Sequence, residues 1–192
     1  MVRLAVFASG NGSNFEAIYE KKQKYDVCVL ICDKRNAFVL YRAKRLMIPS
    51  YVIERSSYRT LEEYEEDILM VLKKYQVDWI ALAGYMRIVG NVLLKAFPRR
   101  ILNIHPSLLP LYPGKEAIKQ AIDNHAKTTG VTIHYIDSGI DTGEIIAQAI
   151  VDILPNMDEE TVKDAIQKQE HLLYPQIINQ LIEEEANETG TY

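Results

Sequence analysis

The chain has 192 residues, with 22 Lys or Arg against 26 Asp or Glu, a formal net charge of −4 and 48% hydrophobic residues. A mainly disordered chain is excluded, and at this length a domain buries about 70% of its unfolded surface, so neither disulfide nor metal is needed to hold a core. No apolar run approaches the roughly 20 residues of a membrane-spanning helix. Met1-Val2-Arg3 passes directly into Leu4-Ala5-Val6-Phe7 without the layout of a signal peptide, so the expected location is cytoplasmic, with no membrane partner. The acidic balance, pI about 5.6, speaks against nucleic-acid binding driven by bulk charge.

Leu4-Ala5-Val6-Phe7-Ala8 is apolar at every position, which predicts a central strand over 3–8 with helices on both sheet faces. Ser9-Gly10-Asn11-Gly12-Ser13-Asn14 follows, then a helix expected over 14–23, with Ser13 or Asn14 as its cap. Glycines let the main chain turn tightly, and a helix start offers unpaired N–H groups and partial positive charge. That is an anion-binding layout. The same residues also fit a bare turn, or a dinucleotide site in which Asp33, 21 residues after Gly12, holds a ribose. Against the latter, Phe15 stands at the third glycine position; a nucleoside triphosphate loop is excluded because no Gly-Lys-Ser/Thr follows.

A second strand is expected over 27–32, where Cys28 and Cys32 read as buried thiols rather than a zinc or redox pair. Helices are predicted over 37–46 and 57–75, and another all-apolar strand over 78–83. Residues 1–60 hold 11 Lys or Arg against 5 Asp or Glu, whereas 61–192 hold 11 against 21. An anionic small molecule suits the first part, although a solvated helix surface also accounts for Lys21, Lys22 and Lys24.

After a helix over 90–96 comes a strand over 100–105, in which Asn103 and His105 share one face. Pro106 stops the strand, so both reach a carboxyl-terminal sheet edge, where open α/β sheets bind ligands. An amide donor can stabilise a developing oxyanion while an imidazole moves a proton, the equipment of acyl transfer. A helix is expected over 114–124, then two strands, 131–136 and 145–151, close enough in sequence to be antiparallel. Their connecting turn, Ser138-Gly139-Ile140-Asp141-Thr142-Gly143-Glu144, offers a carboxylate that could pair with His105; it also fits a turn with no further role. A last helix over 158–182 carries Gln169-Glu170-His171. Residues 183–192 read as an acidic, frayed end to a domain of residues 1–182. His125 and His134 have no company that makes them catalytic.

Four ordered motifs resemble the phosphoribosylglycinamide formyltransferase family: Ser9 to Asn14, Leu82-Ala83-Gly84-Tyr85-Met86-Arg87, Asn103-Ile104-His105-Pro106-Ser107-Leu108-Leu109-Pro110, and Asp141-Thr142-Gly143 before Ile145-Ile146-Ala147-Gln148. The resemblance spans residue 2 to about 182. It implies an α/β fold: one Rossmann-like domain with a mostly parallel mixed sheet of about seven strands flanked by helices. It also implies two small-molecule substrates, glycinamide ribonucleotide and 10-formyltetrahydrofolate as formyl donor, with no metal, in a monomer or homodimer of purine biosynthesis. Gly12, Ser13, Asn14 and Glu170 would hold the ribonucleotide. Arg59, Met86, Arg87, Ile88, Val89, Asn103, Ile140 and Asp141 would border the folate, and Asn103, His105 and Asp141 would be catalytic. Lys115-Glu116-Ala117-Ile118 departs from relatives that place histidine there. A formyltetrahydrofolate hydrolase, or a non-catalytic folate- or nucleotide-binding module on the same fold, is the alternative.

Overall fold

The structure, a computed structural model, describes residues 1–190. Seven strands, β1 (Val2–Ala8), β2 (Tyr25–Cys32), β3 (Ser50–Val52), β4 (Trp79–Leu82), β5 (Ile101–His105), β6 (Thr128–Tyr135) and β7 (Ile145–Asp152), form one sheet in the order β3-β2-β1-β4-β5-β6-β7. The first five in that order run parallel, and β6 is antiparallel to both β5 and β7. The mostly parallel mixed sheet is as expected; β3, a three-residue edge strand, is too short to leave a periodicity in the sequence. Helices α1 (Ser13–Glu20), α2 (Val39–Arg45), α3 (Leu61–Lys74), α4 (Asn91–Ala96), α5 (Ala117–Asp123) and α6 (Glu159–Thr189) lie between and after the strands.

Strand alternation divides the core into two layers. Leu4, Val6 and Ala8 of β1 pack with Phe15, Val39, Ile166 and Ile178, whereas Ala5 and Phe7 pack with Tyr64, Ile68, Leu72 and Leu93. Leu4 to Ala8 are all fully buried, which is why this stretch of β1 carries no polar residue; the one polar residue of the strand, Arg3, lies at its partly exposed start. Pairing between β1 and β2 slips at Leu4/Ala5, and that irregularity sends Cys28 into one layer and Cys32 into the other. Both are free, buried thiols, and burial pushes Cys28 up to about 11, so it stays protonated at neutral pH.

Several helix boundaries differ from expectation, among them the end of α1 at Glu20 rather than 23, and three of the differences have a clear local reason. α3 starts at Leu61 rather than 57 because Thr60 and Glu63 close a capping box there, and residues 55–57 form a separate 3₁₀ turn. α5 starts at Ala117 rather than 114, since the chain before it turns through Glu116 at φ 58° and folds onto the site. α6 continues past 182 to Thr189, so most of the stretch expected to fray is helical. Lys24 Nζ donates to Glu183 (2.7 Å) and Trp79 Nε1 to Glu185 (3.0 Å), which anchors it. The expected frayed residues 191 and 192 lie outside the described residues.

Pro175 sits inside α6 and cannot donate to the His171 carbonyl; Lys21 Nζ does so instead, at 2.8 Å. Beside it, the buried Tyr174 hydroxyl is 3.0 Å from the carbonyls of Leu82 and Leu102, tying α6 to β4 and β5. Tyr174→Phe should therefore destabilise the fold by about 1–3 kcal/mol, the loss expected when buried acceptors lose their donor. An unchanged urea midpoint would contradict this. Among the described residues, no helix is long and apolar enough to cross a membrane.

Candidate active site

The turn from β1 into α1 is held from three sides. Ser9 N–H donates to Gly84 O (3.1 Å), Val39 N–H to Gly10 O (3.0 Å), and Arg42 donates from Nε and Nη2 to the carbonyl and side chain of Asn11, both at 2.9 Å. Arg42 also pairs with Glu16. Gly12, not Ser13 or Asn14, occupies the cap position, at φ 80° in the left-handed region that favours glycine. No side chain caps α1, so its first N–H groups remain free to bind an anion. Asn14 Nδ2 donates to Glu170 Oε2 at 2.9 Å, which joins the start of α1 to the middle of α6. Asn14 Oδ1 is buried and has no protein partner among the described residues. Burial pushes the Glu170 carboxyl up, against the opposing effect of the Asn14 bond.

Asn103 and His105 project from one face of β5, and β6 places His134 directly opposite Asn103 and Thr132 opposite His105. His134 Nδ1 is 2.9 Å from the Tyr135 carbonyl, which can only accept, so this nitrogen carries the proton. Nε2 then accepts from Asn103 Nδ2 at 3.1 Å, and this fixes the orientation of the Asn103 amide. Nothing in the sequence around His134 marks it for a role. Its place became visible only through the antiparallel register, although its position two residues after Thr132 in an alternating run marked the face.

The β6–β7 connection leaves the sheet beside Leu102, at the amino end of β5, and folds back over the sheet face. Asp137 Oδ1 accepts from Gly139 N–H (2.9 Å) and the Thr142 hydroxyl (2.8 Å), and Gly143 passes so close to the Tyr135 carbonyl that a Cβ would collide with it. Asp141 sits at φ 53°, a conformation Asp tolerates better than most residues. Its Oδ2 is 3.4 Å from His105 Nδ1 and its Oδ1 3.6 Å from His134 Nε2. Burial raises the Asp141 carboxyl, but the neighbouring imidazoles of His134 and His105 and the Gly114 N–H (2.8 Å) outweigh it and hold it below the ordinary value. On the other side of the imidazole, His105 Nε2 donates to the Tyr112 carbonyl at 2.9 Å.

The segment between β4 and α4 borders the same edge. Met86 N–H donates to Ser9 Oγ at 2.9 Å; Met86 and Ile88 are exposed and Val89 is buried. Ile140, across the site on the β6–β7 connection, is exposed. Arg59 stands apart from this cluster, exposed before α3, with its N–H donating to Glu63 (3.0 Å). Asp33 is buried against Arg87 Nε at 2.6 Å. Its carboxylate does not face an open ribose pocket, which removes the dinucleotide reading.

A carboxamide, an imidazole and a carboxylate meet beside a helix start that no side chain caps, a set of groups suited to acyl transfer. Residues 2–178 match the model of the formyl transferase family, and the chain belongs to that family. It is 47% identical over 186 residues to the phosphoribosylglycinamide formyltransferase of Bacillus subtilis (strain 168), covering 95% of both chains. To that of Escherichia coli (strain K12) it is 34% identical over 182 residues, covering 93% of this chain and 86% of the other. The crystal structure of phosphoribosylglycinamide formyltransferase from Bacillus halodurans superposes with a TM-score of 0.91 at 47% identity, covering 94% of this chain and 95% of that one.

Proposed function

We propose that the chain transfers the formyl group of 10-formyltetrahydrofolate to the amine of N1-(5-phospho-D-ribosyl)glycinamide, giving formylglycinamide ribonucleotide and tetrahydrofolate in purine biosynthesis. The observation that carries this is the gathering of Asn103, His105 and Asp141 around the end of β5. The names of its relatives point the same way.

The ribonucleotide phosphate binds the open N–H groups at Gly12, Ser13 and Asn14, and Glu170, fixed by Asn14, holds the polar body of that substrate. The folate lies against Met86, Arg87, Ile88 and Val89, with Ile140 and Asp141 as the opposite wall; Arg59 is a more distant contact to the same ligand. The substrate amine attacks the formyl carbon on N10 and forms a C–N bond, and the carbonyl π pair moves onto oxygen. Asn103, its amide aimed by His134, donates to that oxygen, and His105 donates beside it once the Tyr112 carbonyl releases Nε2–H. The proton lost by the amine and the one gained by N10 pass through His105 or a water held by Asp141. The C–N10 bond then breaks with its electron pair on N10, and tetrahydrofolate leaves. Alignment of two bound substrates and oxyanion stabilisation can each supply several kcal/mol. Asp141 opposite Nδ1 offsets the positive charge the ring takes up.

An absorbance assay of 10-formyltetrahydrofolate conversion, with and without the ribonucleotide, tests the reading. Strict dependence on the amine is expected. Turnover without it would identify a hydrolase, and binding of both ligands without turnover a binding module.

Glu170→Gln separates binding from folding. Because the folded carboxyl is raised, its ionised form opposes folding, and stability falls as pH climbs from the ordinary carboxyl range through the raised value. The amide keeps an acceptor for Asn14 and removes the buried charge. The variant should melt no lower than the parent at pH 8, while the KM for the ribonucleotide rises about tenfold, the size of one lost charge-assisted hydrogen bond. An unchanged KM would remove Glu170 from the substrate site.

A further inference from the structure

Asp33 is a buried carboxylate that the transfer chemistry does not use. It directly follows β2 at the carboxyl edge of the sheet, with its side chain fully covered. Oδ2 accepts from Arg87 Nε at 2.6 Å, and Oδ1 has no protein partner among the described residues. A stable core alone would be served as well by an apolar side chain, since burying an ion pair rarely adds stability.

What the pair does hold is the main chain between β4 and α4. That irregular segment is pinned along its length: Ala83 N–H on Phe7 O (2.8 Å), Met86 N–H on Ser9 Oγ (2.9 Å), Arg87 on Asp33, and Gly90 and Val92 N–H groups on the buried Glu65 carboxylate. Beneath it the Tyr85 hydroxyl lies 2.5 Å from that of Tyr64. Between these anchors the Met86 and Ile88 side chains stay exposed. The result is a fixed ledge with an apolar rim, and Arg87, 41% exposed, ties it to the residue that follows β2.

We infer that Asp33 is a positioning residue for the formyl donor: through Arg87 it fixes the main chain of Met86 to Val89 against which the folate binds, without itself touching substrate. This rests on the function proposed above. Disturbing the pair should therefore affect one substrate and spare the other, which a general loss of structure would not do.

The test uses the full chain carrying Asp33→Asn, Arg87→Met or both, with initial rates measured against each substrate and melting followed in parallel. Each single variant should raise the KM for 10-formyltetrahydrofolate about tenfold and leave the ribonucleotide KM within about twofold; the double variant should be no worse than the worse single, as residues acting through one contact are non-additive. An unchanged donor KM, a ribonucleotide KM that rises in step, or additive effects would overturn the inference. Should Asp33→Asn fail to fold, Arg87→Met and Arg87→Lys carry the same comparison from the exposed side, with Lys expected to restore part of the donor affinity. If the parent protein shows no amine-dependent transfer, the assigned function fails by itself. Calorimetric binding of tetrahydrofolate then decides the inference: weaker binding in the variants supports it and equal binding overturns it.

Discussion

Asp141→Asn is expected to lower kcat by about 10²-fold or more, the usual consequence of losing acid-base or oxyanion assistance. Asparagine tolerates the left-handed backbone at this position nearly as well as aspartate, so the change removes charge and leaves the turn in place. The loss should appear in kcat more than in either KM, because the carboxyl oxygens face His105 and His134 and asparagine keeps the shape of the folate wall. In the parent, the folded Asp141 carboxyl is depressed, so its contribution to stability is present above the ordinary carboxyl value and lost as pH falls through the depressed one. The acid-side loss of kcat that Asp141 causes, measured with both substrates saturating, should accordingly begin only below the ordinary carboxyl range. Near-normal turnover in Asp141→Asn would remove the carboxylate from the mechanism.

Gly12→Val should raise the KM for the ribonucleotide by about tenfold or more, since the left-handed region costs an L-residue about 1–2 kcal/mol and a β-branched one more. The damage has a second, specific source. A Cβ at Gly12 would lie 2.6 Å from Val39 Cβ and 3.0 Å from Val39 Cα on α2, so the loop must move away from the helix. That displacement misaligns the N–H groups at Ser13 and Asn14 rather than plugging the anion site. The KM for the formyl donor should change far less. A variant that folds with an unaltered ribonucleotide KM would contradict the phosphate placement.

Much of this was legible before any coordinates. Apolar runs marked β1, β2 and β4 because helices cover both sheet faces, and Pro106 marked where β5 presents Asn103 and His105. The anion loop was legible because its glycines lie between a strand and a helix. Two things were not. His134 depends on which residue of β6 lies opposite Asn103, and a one-residue slip would have turned its ring to the other face. The convergence of Asp141 on His105 depends on a connection that leaves the sheet at the far end of β5 and folds back, held by Asp137, Thr142 and the close passage at Gly143. Helix ends failed where tertiary contacts decide them, as at α6, where Lys24, Trp79 and Arg100 reach glutamates that local composition marked as solvated. Asp33 shows the converse: its spacing from Gly12 imitated a ribose-binding acid, and only the ion pair with Arg87 revealed another use.

The most direct measurement is a crystal structure of the protein with glycinamide ribonucleotide and a non-transferring folate bound together. The predicted result has the phosphate on the main chain of Gly12 to Asn14, and the amine and N10 within about 4 Å of each other between Asn103 and His105, the near-attack geometry that transfer requires. A phosphate seated away from α1, or an amine that cannot approach N10 while both ligands are in place, would contradict the account.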